Sequence, residues 1–384
     1  LIDFSFTKEQ ELLRENIAKF ATQELAPKYT YWDRNSQFPY EQVKKMAELG
    51  LMGVYVPAEY GGNPLDDIAI GMVMEEIARG DFNCVLPIML HILGADLLCK
   101  YGTKEQMREW LPQMASAEKL FALGCTEPDA GSDLAHLSTR ADRDGDDFIL
   151  NGEKNSVSQS NSDYLFILAR SRFDVPSARG ISMFLVPRDA PGVSVSDYRD
   201  LGCKAIPRGA VAMEDVRIPR SHLVGEEGRG FHMVMPWIDL NRIYIALKCL
   251  SAAALSLKET MEHVKNRQAF GRPLARFEGI SFPLAEAETQ LEATRWLCYR
   301  ALWLRQKGLP YTKEAAMVKW WGPKIATETI HKCLLLHGHY GYSDEFPIEQ
   351  RLRDVMGWQI GDGTGEVQKI IIARESMGKE YLPY

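Results

Sequence analysis

The sequence predicts an α+β protein in three parts: a helical N-terminal domain, a central antiparallel β-barrel or sandwich, and a C-terminal four-helix bundle. Three observations predict it. Apolar residues recur at helical intervals through the first and last thirds. The middle third changes to short alternating or β-branched runs with turn residues every few positions. No long helical stretch separates those runs, as a βαβ sheet would require. At 384 residues the chain exceeds one ordinary core and suits two or three packed units. The expected boundaries are 1–122, 123–230 and 231–384.

Taken in order, Thr7, Lys8, Glu9 and Gln10 have capping-box spacing, and Leu13, Ile17, Phe20, Ala21 and Leu25 follow at helical intervals until Pro27 stops the run. Further helices are expected over 39–51, 66–78 and 85–101. In the middle, residues 148–150, 164–168, 181–186 and 193–195 read as strands. The last third returns to helix over 231–267, 283–307, 312–337 and 366–378, with few Gly or Pro to interrupt, which suits a bundle. Many unrelated proteins share such an order, so it selects a class and not a function.

Composition narrows the class. The chain is 46% apolar and 25% charged, and its net charge of −7 argues against a nucleic-acid partner. Seven cysteines (84, 99, 125, 203, 249, 298 and 333) are scattered, with no CxxC pair and no metal-ligand spacing, and read as reduced core thiols; no metal site is expected. No apolar run approaches the roughly 20 residues that a membrane span needs. Residue 1 is Leu, so a leader can precede it. GxGxxG, Walker A, HExxH and GxSxG patterns are missing, so a cofactor would be held by another device.

Three segments carry candidate chemistry. The first runs from Cys125 through Thr126, Glu127, Pro128, Asp129, Ala130, Gly131 and Ser132 to Asp133; its hydroxyls and backbone N–H groups can donate to a heteroaromatic ring, although an ordinary Asx/Ser turn has the same composition. The second, Asn266 to Gly271, ends a helix with Arg267 and Phe270; the arginine can pair with a pyrophosphate, and a plain helix cation before a capping glycine is the bland alternative. The third, Gly361 to Lys369, presents Asp362 on a glycine-rich loop before a helix, where Asp and Thr can equally be caps.

Together with the text around them, these segments resemble the acyl-CoA dehydrogenase family over essentially the whole chain. Phe4 to Gln10, Ala58 to Gly62 and Gly102 to Gln106 look like its N-terminal domain. Glu127-Pro128-x-Ala130-Gly131-Ser132-Asp133 resembles its flavin loop, and Gly225 to Gly230 followed by Asp239-x-x-Arg242 its substrate helix. Arg267-x-x-Phe270-Gly271, His337-Gly338-x-x-Gly341-Tyr342 and Gly363-Thr364-x-Glu366-x-Gln368 are similar to its remaining flavin elements. The resemblance implies FAD as cofactor and an acyl-CoA thioester as substrate, oxidised to the 2-enoyl-CoA. It implies Asp362 as the base, where most members have glutamate. Leu123, Cys125, Thr126, Gly131 and Ser132, with Ser156, Val157 and Ser158, would line the isoalloxazine. Arg267, Phe270, Leu335, His337, Gly338, His339, Thr364 and Glu366 would hold the FAD tail across a subunit interface. Ser132, Asp239 and Arg242 would contact the CoA portion, and His91 lies on the helix expected to wall the acyl pocket, where a lone histidine is more often packing. A homotetramer (dimer of dimers), electron-transfer flavoprotein as electron acceptor, and a bacterial cytoplasmic or mitochondrial matrix location complete the implication.

The chemistry explains why such residues are needed. A thioester's α C–H is a weak acid, so hydrogen bonds must polarise the carbonyl while a desolvated carboxylate takes the proton. The β hydrogen leaves as hydride to the flavin. Aspartate at 362 shortens the base by one methylene, about 1.5 Å, so a substrate bulky at Cα, alicyclic or α-branched, is expected to bring its carbon to the base. Asn241 occupies the alternative base position of some relatives and cannot accept a proton there. Ser156 stands for a usual Trp, Glu278 for Gln, Leu335 for Gln, His339 for Gly and Asp129 for a frequent Gly, each altering the flavin surroundings. Two other readings compete: a flavin oxidase on the same scaffold, similar to nitroalkane oxidase, and a non-catalytic scaffold. The same site can also run as an enoyl-CoA reductase.

Overall fold

The N-terminal capping box forms as its spacing requires. Thr7 accepts from the Gln10 backbone N–H at 3.2 Å and its own N–H donates to the Gln10 side chain at 3.1 Å, starting α1 (Lys8–Phe20). The computed structural model describes residues 5–381; Phe4, part of the N-terminal resemblance, lies outside them. Helices α2 (Tyr29–Asn35), α3 (Tyr40–Glu48), α4 (Asp67–Gly80), α5 (Val85–Tyr101) and α6 (Lys104–Ala115) complete the first part. α5 is apolar all round and accordingly buried along Val85 to Leu98.

The middle part is one hydrogen-bonded sheet of eight strands: β1 (Phe121–Gly124), β2 (Arg140–Asp144), β3 (Asp147–Ser158), β4 (Tyr164–Arg170), β5 (Ile181–Pro187), β6 (Val193–Asp197), β7 (Arg208–Pro219) and β8 (Leu223–Val224). The order is β6-β7-β3-β2-β4-β5-β8, with β1 also against β4. Most pairs are antiparallel, as expected, but β1 runs parallel to β4, Phe121 opposite Tyr164, and β2 meets β4 in parallel at Arg140 and Arg170. The expected strands 148–150, 164–168, 181–186 and 193–195 all fall within strands. β2 was invisible because its RADRD text has no apolar run, and β7 because its alternation is broken where register shifts between Leu150 and Gly152.

The bundle consists of α7 (Gly230–Asn266), α8 (Glu278–Gln306), α9 (Thr312–His337) and, after α10 (His339–Tyr342) and α11 (Ile348–Met356), α12 (Gly365–Met377). α8 begins five residues before the expected start at 283, because Pro283 sits inside the helix and not at its first position. α7 corrects the expectation about apolar runs. By length and composition it could cross a membrane, yet 89% of its apolar window is buried in the protein, as a core helix requires.

Buried ion pairs join the first part to the bundle. Glu75 of α4 accepts from Arg295 Nε at 2.6 Å and Nη2 at 2.9 Å, and from the Tyr299 hydroxyl at 2.6 Å. Asp33 of α2 takes Arg353 of α11 at 2.7 Å. Such pairs are strongly destabilising to break, because one charge stays buried alone. Glu75→Ala is therefore expected to lower stability by about 3 kcal/mol, read as an earlier midpoint in urea unfolding followed by far-UV circular dichroism.

Candidate active site

Between the sheet and the bundle lies a cleft of about 510 Å³. One wall is the chain leaving β1 and the end of β3: Leu123, Cys125, Thr126, Asn155, Ser156 and Ser158. The other is the segment from Met356 to Asp362, with Trp237 and Asn241 of α7 between them and Leu86, Met89 and Leu90 of α5 at the apolar end.

The first wall is pinned from behind. Lys154, fully buried on β3, donates to Glu127 Oε1 at 2.7 Å and to the Cys125 carbonyl at 3.3 Å. Glu127 also accepts from the Ser138 hydroxyl at 2.7 Å and the Thr139 N–H at 2.9 Å. Burial opposes its ionisation, but the Lys154 ammonium and these donors outweigh it and hold the carboxyl down to about 2. The Asn155 N–H closes the loop onto the Thr126 carbonyl at 2.7 Å.

The second wall delivers Asp362. After α11 the chain makes a short 3-10 turn over Gly357–Gln359 and reaches Asp362 in the left-handed region, φ 57°. Thr364 then caps α12, its hydroxyl accepting from the Val367 N–H at 3.5 Å. A left-handed non-glycine residue persists only where its surroundings hold it, and here two side chains do so. The buried Lys319 ammonium of α9 donates to the Trp358 carbonyl at 2.8 Å and the Gly363 carbonyl at 3.1 Å. Gln368 donates to the carbonyls of Asp362 at 3.3 Å and Gly363 at 3.1 Å. Burial pushes the Lys319 ammonium down to about 8, with Asp362 acting in the opposite sense. The Asn241 amide donates to the Asp362 carboxylate. One residue on, Arg242 donates to Asp239 at 2.6 Å, and Asp239 accepts from Thr312 at 2.6 Å.

The structure brings together Leu123, Cys125, Thr126, Ser156, Ser158 and Asp362 of the residues expected from the sequence. Val157 is buried behind that wall. Gly131 and Ser132 sit on an exposed turn beyond it, closed by the Glu127–Ala130 bridge. Asp239 and Arg242 pair with each other outside the lining. Arg267 is exposed past the end of α7, and Phe270, in left-handed backbone, is 95% exposed. Leu335, Gly338 and His339 are exposed at the end of α9 and start of α10, while His337 stacks on His263 at 4.2 Å. Glu366 is exposed in the first turn of α12. His91 is wholly buried, outside the cleft lining, with Nδ1 at 2.9 Å from the Met114 carbonyl and its ring edge-on to Phe121. Sequence reasoning missed Lys319 and Trp358, and missed that Asn241 touches Asp362. The one available signal was a single lysine in the apolar run Ala315 to Trp321.

The residues present fit a flavin. The cleft offers three hydroxyls, Thr126, Ser156 and Ser158, on a wall facing the indole-bearing segment. Buried polar atoms on its lining, Asn241 Oδ1, Trp237 Nε1 and Trp358 Nε1, lack protein partners, as expected where a polar heterocycle or thioester binds. A Cβ on Gly131, Gly271 or Gly338 would meet nothing within 4 Å, leaving open backbone at each of the segments expected to reach the cofactor.

Comparison with known proteins gives a consistent result. Residues 7–118 match the acyl-CoA dehydrogenase N-terminal domain, 122–216 its middle domain and 228–377 its C-terminal domain. The chain is 35% identical to a probable acyl-CoA dehydrogenase of Bacillus subtilis, over 97% of this chain and 99% of that one. It is 34% identical to a short-chain specific acyl-CoA dehydrogenase of Clostridium acetobutylicum, with the same coverage. The solved structure of butyryl-CoA dehydrogenase from Megasphaera elsdenii superposes with a TM-score of 0.93 at 30% identity, over 97% of this chain and 99% of that chain.

His91 yields a pH prediction. Burial holds its imidazole down to about 4, against an ordinary 6.5. As pH falls below 6.5 the unfolded chain takes up a proton that the fold refuses, so stability drops between those values and is unaffected above them. The expected loss at pH 4.5 relative to pH 7 is roughly 2–3 kcal/mol. In His91→Leu that pH-dependent part disappears from the urea unfolding free energy.

Proposed function

The chain belongs to the acyl-CoA dehydrogenase family, FAD-dependent oxidoreductases acting on the CH–CH bond of acyl-CoA, and on that premise we propose that Asp362 removes the α proton of an acyl-CoA with an alicyclic or α-branched acyl group. The observation that carries this reading is the Asp362 carboxylate on the cleft lining, fixed by Asn241 and by the Lys319 clamp on its own backbone. A base must lie roughly 3 Å from the carbon it deprotonates, and a short side chain on a clamped loop leaves the substrate to close the gap. Room for a bulky group supports this. Gly357 and Gly361 line the cleft beside the base, and a Cβ would meet nothing within 4 Å at the first and nothing nearer than 3.8 Å at the second.

Each chain residue then has a task. Leu86, Leu90 and Trp237 surround the acyl end and exclude water, which strengthens the carboxylate as a base. Asn241 orients the carboxylate through its amide. Asp362 takes the α proton and keeps it as the carbon–carbon double bond forms. Bound FAD supplies the acceptor for the β hydride. Thr126, Ser156 and Ser158 would hold its ring system, and Arg267, Phe270, Leu335, His337, Gly338, His339, Thr364 and Glu366 its tail, with Ser132, Asp239 and Arg242 on the CoA portion. The almost full exposure of Phe270 supports a reach into a neighbouring subunit of a dimer of dimers. Electron-transfer flavoprotein is the proposed acceptor, and relatives in Bacillus and Clostridium support a bacterial cytoplasmic location.

Anaerobic bleaching of the flavin tests the reading. Asp362→Asn is expected to lower the rate by a factor of about 10³, within the range for loss of a general base. Cyclohexanecarboxyl-CoA should bleach the wild-type protein faster than butyryl-CoA. An undiminished rate in the Asn variant would overturn the assignment of the base, and faster bleaching by the straight chain would overturn the substrate class.

A further inference from the structure

Beneath the cleft lies a second buried lysine that the reading above does not use. Lys248 is 1% exposed on α7, seven residues after Asn241 and therefore on the same side of the helix. Its ammonium sits 3.3 Å from the centre of the Trp358 ring and 4.6 Å from that of Phe82. Among the described residues no carboxylate lies within ion-pair reach of it. The titratable and charged groups around it are Cys203, Cys249, Arg208 and Asp362. Those facing Asp362 include Lys319 from α9 as well as Lys248, with Arg242 close to both Lys319 and Gly363.

Folding alone does not account for this arrangement. An ammonium withdrawn from water without a carboxylate destabilises a fold, and contact with two aromatic faces does not offset the loss of hydration. A methionine of similar length would pack against Phe82 and Trp358 without that penalty. Lys248 instead places a positive charge directly behind Trp358, a residue of the cleft wall, and within electrostatic range of Asp362. Lys319 shares that field but spends its donors on two carbonyls.

We propose that Lys248 is a positioning residue for the reaction: its ammonium, stacked on Trp358, supplies an uncompensated positive charge behind the cleft that favours the ionised Asp362 and negative charge arising on the bound thioester. The proposal rests on the reading of Asp362 as the base. Burial brings the ammonium down to about 8, with the neighbouring thiols and Asp362 opposing, so the charge is present below that pH and fades above it.

The test compares wild-type holoenzyme with Lys248→Met and Lys248→Arg, using cyclohexanecarboxyl-CoA and butyryl-CoA as probes. In Lys248→Met the acid limb of the kcat/KM profile should move up by about half a pH unit or more, since removing a nearby cation makes a carboxylate easier to protonate. Its melting temperature should stay level or rise, and Lys248→Arg should restore the wild-type limb. Independently of turnover, the ultraviolet difference spectrum of the indoles should titrate near pH 8 in the wild type and lose that component in Lys248→Met and in Trp358→Phe. An unmoved acid limb in folded Lys248→Met overturns the proposal. So does an indole spectrum that replacing Lys248 by Met or by Arg leaves unchanged, since the ammonium then does not act on Trp358. Loss of turnover in Asp362→Asn alongside either result would show that the base assignment stands and only the role of Lys248 has failed.

Discussion

The site depends on one constraint, the hydrogen bonds from Lys319 to the carbonyls of Trp358 and Gly363. They bracket Asp362 in sequence and hold the chain while that residue keeps a positive φ. Without a bracket the loop would relax toward right-handed backbone and swing the carboxylate off the cleft wall. The donor stands on α9, a helix packed along its length against α7, so the position of Asp362 is referred to the bundle and not to the loop that bears it. Gln368 repeats the logic from α12: its amide returns to the same stretch and fixes the angle between loop and helix.

The other end of that segment is fixed to the N-terminal part. Asp354, fully buried at the end of α11, accepts from the Tyr29 hydroxyl at 2.7 Å and the Asn83 amide at 3.2 Å, and takes the Cys203 N–H from the loop between β6 and β7. Burial raises its carboxyl to about 6 despite those donors. One side chain thus gathers all three parts of the molecule eight residues before Asp362. The cleft is therefore a junction, and its shape follows from how the parts dock more than from any one of them.

This explains which features were legible in the sequence. α5 and α9 were readable to the residue because periodicity and flanking turn residues agree there, and α12 to within one residue at each end because its threonine cap is local. Cys125 and Thr126, with Ser156 and Ser158, are expected together from the sequence, and in the fold they share one wall of the cleft. What stayed hidden depends on tertiary context. Nothing local says that Lys319 and Lys248 are buried, since lysine is an ordinary helix former. Asn241 drew notice only as a residue unable to be a base, because its contact with Asp362 joins positions far apart in the chain. β2 and β7 escaped for the related reason that strands are defined by partners.

Several buried charges are matched pairs, while others, Asp354 among them, meet only neutral groups. Glu75 with Arg295, Asp33 with Arg353 and Glu127 with Lys154 are matched, with their hydrogen-bonding capacity largely filled; they join elements. Around Asp362 the groups are unmatched. Lys319 donates to carbonyls and not to a carboxylate, Lys248 faces aromatic rings, and Asp362 takes its hydrogen bond from a neutral amide. A fold selected for stability alone would pair these groups or replace them with hydrocarbon. With no salt bridge on it, the Asp362 carboxylate keeps lone pairs that a proton can take. The arrangement is costly as architecture, and it is what the proposed chemistry at this end of the cleft would require.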